Sequence, residues 1–492
     1  MGLEIDRDQF RGRDYDRFAD RLASCLGALE ELLAQPAFGR GRPELGAELE
    51  LALIDDAGRA LPMNEEVILE TVDERMTVEL DRFNLECNLL HCGLAGRPFS
   101  HLRRELESAR AELRRAAAIH GGRIAMTGIL PTLTEADLQT SAMTDELRYR
   151  ALSRSLRGRR SGPFRLDIDG GDPLRLDCHD VTYEGAATSL QVHLRVEPGR
   201  FRDVFDAAQL ATAPALAAAA NSPTFLGHRL WSETRVALFK QAVDDRDPEF
   251  RAGPARVSFG TGWLKEGPLE LFQQAVREYP VLLPVLDAED PNAVLDAGEI
   301  PALREIRLHQ GTVWSWNRPV YHPRGGGHVR IELRALPSGP TVSDMVANVA
   351  FLVGLTLGLT PHMPRIREIL PFEVAHSNFY RAAQSGLDGL LFWPDPETGT
   401  CETRSAGALV TRLTTLAREG LRDYEIDDAE AEDTIATIEQ RAERRQTGAT
   451  WQRARLASFE RGRPSSDGLT RMLEEYVARS ESGAPVHEWG LD

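Results

Sequence analysis

Four stretches of the chain carry ionisable or hydrogen-bonding side chains at every second position. Glu48 and Glu50 alternate with Ala47, Leu49 and Leu51. Asn84, Glu86 and Asn88 alternate with Phe83, Leu85 and Cys87, and Glu79 lies a short segment earlier. Ser189, Gln191, His193 and Arg195 alternate with Leu190, Val192 and Leu194. His328, Arg330, Glu332 and Arg334 alternate with Val329, Ile331 and Leu333. A period of two puts each polar set on one face of a β-strand. One reading is a set of half-exposed strands with a wetted face, which antiparallel sheets often have. The residue types favour another. They are Glu, Gln, His and Arg, which bind metals and phosphates, and not the usual Thr, Lys and Ser of a wet face.

Several such strands in one sheet would gather like charges. Two carboxylates about 4 Å apart repel by roughly 4 kcal/mol at an effective dielectric near 20. A divalent cation between them reverses that sign. Glu48, Glu50, Glu79, Glu86 and Glu332, with His193, form a mainly oxygen donor set, which suits Mg²⁺ or Mn²⁺ better than zinc. Arg330 and Arg334 share the face of Glu332, and a guanidinium fork matches phosphate or carboxylate. This is equipment for phosphoryl transfer by positioning and charge neutralisation. The usual ATP signatures are missing: there is no G-x-x-x-x-G-K-[ST] and no G-x-G-x-x-G between a strand and a helix. Any ATP must be held by another architecture.

The elements that would position these residues can be read from periodicity. Residues 14–35 carry Phe18, Leu22, Leu26 and Leu29 at helical spacing, and the period then changes to two at residues 46–55. Helices are predicted over 98–120, 202–220 and 341–359, and strands over 123–130, 187–197, 312–321 and 328–336, the last two around Gly325-Gly326-Gly327. Of Trp314 and Trp316, one is expected in the core and the other lining a pocket. Residues 245–300 are rich in Pro, Gly and Asp and read as loops, with a lid as one role open to them. From about Ser405 onward the chain reads as charged helices that pack on the sheet or form a homo-oligomer contact. Because the strands come in hairpin-like pairs, an antiparallel α+β sheet is favoured over a parallel one.

Lys and Arg total 58 and Asp and Glu 76, a net charge of −18, which makes nucleic acid an unlikely partner. The apolar run Met345–Leu359 is shorter than the roughly 20 residues a bilayer needs, so a buried core helix is expected and no membrane partner. The first residues have no basic stretch followed by an apolar one, so no secretory signal is expected. Five cysteines, an odd number without C-x-x-C, suggest reduced thiols in a cytoplasmic protein.

The order of these motifs resembles that of the glutamate–cysteine ligase type 2 family, in its bacterial carboxylate–amine ligase branch. Gly46-Ala-Glu-Leu-Glu50 resembles the opening acidic strand, and Glu79 with Glu86 the second acidic element. Ser189-Leu-Gln-Val-His193, then Asn221-Ser-Pro223 followed by Arg235, then Arg330-Ile-Glu-Leu-Arg334 complete the series. The resemblance implies a glutamine-synthetase-like curved antiparallel sheet with the site in its concave face, ATP with two or three Mg²⁺, and an acyl phosphate. It implies metal ligation by Glu48, Glu50, Glu86, His193 and Glu332, with Glu79 beside them. Gln191 and Asn221 would contact substrate or nucleotide, and Arg235, Arg330 and Arg334 would hold phosphate or carboxylate. It divides the chain into an N-terminal extension (1–44), a catalytic domain (45–404) and a helical C-terminal region (405–492). The substrates implied are a small carboxylate such as glutamate, and an amine. Three rival readings share the motifs: a phosphotransferase that stops at a phosphorylated acceptor, a non-catalytic nucleotide or amino-acid sensor, and a ligase that acts on a protein side chain instead of a free amino acid.

Overall fold

The alternating stretches become strands, and they pair through the residues that alternation singles out. The computed structural model describes residues 5–247, 253–460 and 462–491. The expectation about the N-terminal residues 1–4 therefore falls outside the described residues. Helix α1 (Gly12–Ala34) comes first. The central sheet contains β1 (Glu44–Ile54), β2 (Met76–Val78), β3 (Asn84–Asn88), β4 (Cys92–Gly93), β5 (Arg123–Ala125), β6 (Leu190–Arg195), β7 (Asn317–His322) and β8 (His328–Leu333). Its order is β7-β8-β6-β1-β3-β2, with β4 and β5 also pairing with β1. All of these pairs are antiparallel. The β7–β8 turn uses Gly325, Gly326 and Gly327, all at positive φ, where an L side chain is strained.

Register lines up the chemistry. Glu50 sits opposite Glu86, and Glu48 sits between Asn88 and Gln191. Glu332 sits between His193 and Arg318. On the other face Leu49, Leu51, Leu190, Val192, Ile331 and Leu333 are buried. A one-residue slip would exchange the faces, so burial of the apolar set also fixes where the carboxylates point.

The back of the sheet is covered by helices. Between β1 and β5 runs α2 (Pro98–Ile119), and after β6 comes α3 (Phe201–Ala219), a helix buried nearly all round. Then come α4 (Pro268–Glu278), α5 (Arg304–Gln310) and α6 (Val342–Leu359). Helix α6 is mostly apolar but carries the buried Asp344 and Asn348, both bonded to Arg441; with the turn and short helix after it, it is long enough to cross a membrane, yet 94% of its apolar window is buried inside the protein. The C-terminal helices α7 (Ala406–Asp423), α8 (Asp428–Arg444), α9 (Gly448–Phe459) and α10 (Ser466–Ser482) follow. Helices α6 and α7 meet backbone to backbone: a Cβ on Gly420 would lie 2.2 Å from the Gly354 carbonyl. One continuous apolar core runs from Phe18 to Trp489.

Three expectations are corrected. The 245–300 segment, outside the undescribed residues 248–252, holds the helices α4 and Pro291–Asp296, and α1 packs on both. Pro268 and Pro291 each occupy the first helical turn, where a missing N–H costs nothing, so signals read as loop were helix starts. The strand expected over 123–130 ends at Ala125, and Met126 turns its carbonyl to Tyr476 Oη at 2.8 Å. Trp314 and Trp316 lie on one side and both pack on Phe239, as residues two apart in a strand do.

Candidate active site

The polar face of the sheet is not wet. Gln191, His193, Glu332 and Glu86 are at most 7% exposed. Ionisable groups buried to this degree need partners, and they have them in a graded array across β3, β1, β6, β8 and β7.

At its centre Glu48, His193 and Glu332 bring one ligand atom each within 4.8 Å of one another. His193 Nε2 lies 2.9 Å from Glu48 Oε1 and 4.0 Å from Glu332 Oε1. Arg330 Nε donates to His193 Nδ1 at 2.9 Å. With Nδ1 accepting, the ring proton sits on Nε2, towards the Glu48 carboxylate. Two arginines grip Glu332. Arg318 donates from Nε to Oε2 and from Nη2 to Oε1 at 3.2 Å, and Arg334 Nη1 reaches Oε2 at 3.1 Å. Burial alone would raise the Glu332 carboxyl, but Arg318 and Arg334, helped by His193, hold it down to about 2. It stays ionised throughout the physiological range.

Towards β3 the face turns acidic. Glu50 accepts from Ser189 N at 2.8 Å, Ser189 Oγ at 2.9 Å and Gln191 Nε2 at 2.5 Å. Even so, burial and the facing Glu86 push its carboxyl up. Burial, Glu86 and Glu50 push Glu79 well above the usual carboxylate range. Glu184 is raised to about 8 by burial and by Glu50. These shifts come first from burial and then from the acids packed beside one another, a condition that a divalent ion would relieve. Arg148, which bonds Tyr149 Oη, is the nearby positive charge on Glu79 and Glu86.

Towards the β7–β8 turn the face becomes basic. The His322 and His328 rings lie 5.3 Å apart. Burial, then Arg195 and Arg330, push His328 down to about 3, and burial with Arg330, Arg307 and Arg324 pushes His322 down to about 4. Both rings are neutral near pH 7, so the positive charge here is carried by arginines. One continuous surface thus runs from a carboxylate cluster to an arginine cluster.

Two residues carried over from the motif series lie deeper in the interior, although Arg235 is still near enough to oppose the rise of the Glu50 carboxyl. Asn221 is fully buried, with Nδ2 donating to Ser338 O and Tyr476 Oη, both at 2.8 Å, and Oδ1 accepting from Gln452 Nε2 at 2.9 Å. Its amide is saturated, so it joins the back of the sheet to α9 and α10 instead of facing a substrate. Arg235 is equally interior: Nε donates to Glu233 Oε1 at 2.8 Å and Nη2 to Ala335 O at 2.6 Å. Gln191 does sit in the array, but as a relay, accepting from Arg334 and donating to Glu50. Arg318 and Glu184 were missed by sequence reasoning. Arg318 faces Glu332 across the β7–β8 ladder, and that pairing was its one available signal.

An antiparallel sheet carrying carboxylates, a histidine and arginines on one buried face has the donor set for a divalent cation and for a phosphate or carboxylate ligand. Comparison with known proteins gives the family. The sequence model of glutamate–cysteine ligase family 2 matches residues 44–480, and the chain belongs to that family. It is therefore an ATP-dependent carboxylate–amine ligase. Among solved structures, the chain is similar to a glutamate–cysteine ligase from Francisella tularensis in complex with AMP. Identity is 12%, coverage 92% of this chain and 91% of that one, and the TM-score 0.52. It is also similar to a bifunctional glutathione synthetase from Pasteurella multocida, at 10% identity and TM-score 0.48, covering 95% of this chain and 55% of that one. Comparison with curated protein sequences gave no significant match.

Proposed function

We propose that the protein activates a small carboxylate, glutamate being the first choice, as an acyl phosphate and couples it to an amine, with Mg²⁺ at the buried carboxylates. The observation that carries this is the convergence of Glu48, His193 and Glu332 within 4.8 Å, beside a repelling acid cluster on one side and arginines on the other.

The donor set fits hard divalent cations. Glu48, His193 and Glu332 would hold one, and Glu50, Glu79 and Glu86 a second. When bound, Mg²⁺ would neutralise the charge of the ATP phosphates and of the transferring group. His193 needs one adjustment to fit: its ring proton must leave Nε2 for Nδ1, which frees Arg330 from that atom. A freed Arg330 then has its guanidinium available to an incoming phosphate or carboxylate. Arg318 and Arg334 keep Glu332 ionised and aimed, and Gln191 passes the same constraint from Arg334 to Glu50. Burial of the face excludes water, which protects an acyl phosphate from hydrolysis until the amine attacks. The division of the chain at 44 and 404 belongs to the same reading, with the catalytic part at 45–404. The five unpaired thiols fit a reducing compartment, and the cytoplasm is the proposed location.

The test is Glu332→Gln. The variant keeps the size of the side chain, so the fold should persist by circular dichroism, while ATP turnover falls on the order of 10³-fold. Turnover near the wild-type rate in a folded variant would remove the metal assignment.

A further inference from the structure

Apart from the central sheet, residues 390–405 form a two-stranded antiparallel hairpin, Leu390–Asp395 with Thr400–Ser405. The first strand is anchored through Leu391 and Trp393, both buried. The second strand is exposed at Thr400, Thr403 and Arg404. Among the described residues it pairs with no strand but its hairpin partner. An open edge of this kind is a template for another strand.

The two edges of the hairpin differ. The outer edge of the first strand is closed. Asn378, on the helix Phe372–Ser385, accepts from Phe392 N at 2.9 Å and donates to Phe392 O at 2.7 Å, as a neighbouring strand would. Two residues on, Pro394 has no N–H to offer. Because Phe392 turns its N–H and C=O outwards, it forms a non-hydrogen-bonded pair with Thr403. Thr403 must then turn its own N–H and C=O to the opposite edge. By the period of two, Cys401 does the same, and so does the N–H of Ser405. Among the described residues no side chain caps this edge as Asn378 caps the other, and no proline interrupts it.

The side chains along the open edge match a particular partner. Glu402 and Arg404 flank Thr403. An antiparallel copy of the same strand, centred on Thr403, sets Thr403 opposite Thr403, Cys401 opposite Ser405 and Glu402 opposite Arg404. A two-fold axis generates the Glu402–Arg404 pairing twice, with opposite signs each time. Thr403 then occupies a hydrogen-bonded position, where the two copies exchange N–H and C=O. Within the chain Glu402 is paired with Arg404 at 2.6 Å and with Arg412, but these side chains are a third or more exposed, so the pairs are weak and open to sharing. An unrelated peptide would gain the backbone bonds without this charge match.

We propose that the Thr400–Ser405 edge is a dimerisation surface, to which a second copy of this chain adds its own Thr400–Ser405 strand, antiparallel and centred on Thr403. The product is a four-stranded sheet whose outer edges are the ones already closed by Asn378 and Pro394. The contact is isologous and stops at two copies. It goes beyond the ligase reading and does not depend on it.

The experiment is sedimentation equilibrium of the full chain over a wide concentration range, with the fold of each variant checked by circular dichroism. Wild type is expected to rise with concentration from the chain mass of 54.6 kDa to twice that value. Thr403→Pro removes an N–H that the hairpin itself does not use, so the hairpin should persist while the dimer is lost. Glu402→Arg sets like charges opposite each other across the axis and should weaken association about tenfold. Adding Arg404→Glu to that variant restores opposite signs and should restore the dimer. The proposal is overturned if wild type stays at 54.6 kDa throughout, if Thr403→Pro associates as wild type does, or if the double variant associates no better than Glu402→Arg.

Discussion

At the scale of single residues the account rests on how Glu332 is held. A carboxylate on a buried strand is costly unless its charge is matched, and here two guanidinium groups match it from both sides. Arg318 supplies the bidentate half of that grip, and Lys cannot reproduce a fork. Arg318→Lys is therefore expected to weaken Mg²⁺ activation about 10–100-fold, as loss of a group that orients a ligand does. Turnover at saturating Mg²⁺ should largely recover. A Mg²⁺ titration of ATP turnover reads the two effects apart; an unchanged half-activation concentration would deny Arg318 its positioning role. Much of this centre was legible in the sequence, because a period of two puts Glu48, Glu50, Gln191, His193, Arg330 and Glu332 on their faces whatever the tertiary packing. Arg318 was not singled out although its strand was expected: its neighbours at every second position, Trp316 and Val320, are apolar, so no run of polar residues marks it, and only the pairing with Glu332 does. Asn221 and Arg235 were misplaced for another reason. A motif carries identity and order, whereas their roles depend on depth: Asn221 lies in the interior with its amide taken, and Arg235 with Nε and Nη2 taken.

At the scale of elements, α4 and α5 form the wall between the N-terminal helix and the sheet. His309 in α5 donates from Nε2 to Ala275 O of α4 at 3.0 Å and is 2% exposed. Burial, together with the nearby Arg256, pushes its ring down to about 4 from an ordinary 6.5. A group whose pKa falls on folding contributes stability that is full above its unfolded value and is lost as pH falls through the folded one. The contribution of His309 is thus complete above about pH 6.5 and drains away towards pH 4, with an upper bound near 3 kcal/mol. Thermal melts from pH 7 to pH 4 should show a shallower acid limb in His309→Gln than in wild type; parallel curves would rule the ring out. Helix α4 of this wall was hidden in the sequence by Pro268, and the neighbouring helix Pro291–Asp296 by Pro291, because proline marks a helix start as readily as a loop. The long helices α1 and α2 were legible because their apolar stripes run over several turns, and α3 and α6 because they are long, nearly continuous apolar or Ala-rich runs.

At the scale of the whole molecule, the C-terminal helices are locked to the sheet through a small polar joint inside the apolar core. Tyr476 Oη donates to Met126 O, and Asn221 Nδ2 donates to Tyr476 Oη, both at 2.8 Å. Tyr476→Phe leaves both partners buried with one bond fewer and should cost about 1–3 kcal/mol, seen as a lower melting temperature. The KM for ATP should stay the same, since Asn221 serves the joint; a raised KM with unchanged stability would return Asn221 to the substrate site. That joint spans more than two hundred residues of sequence, a distance over which local periodicity is silent. The central claim, that the buried array makes an amide through an activated carboxylate, is tested most directly by phosphate release from Mg-ATP with acidic amino acids paired with candidate amines, products being read by mass. The account predicts free phosphate only with a particular acid–amine pair, together with the mass of the new amide. ADP formed with a phosphorylated acceptor and no free phosphate, or Mg²⁺-dependent nucleotide binding without turnover of any pair, would contradict it.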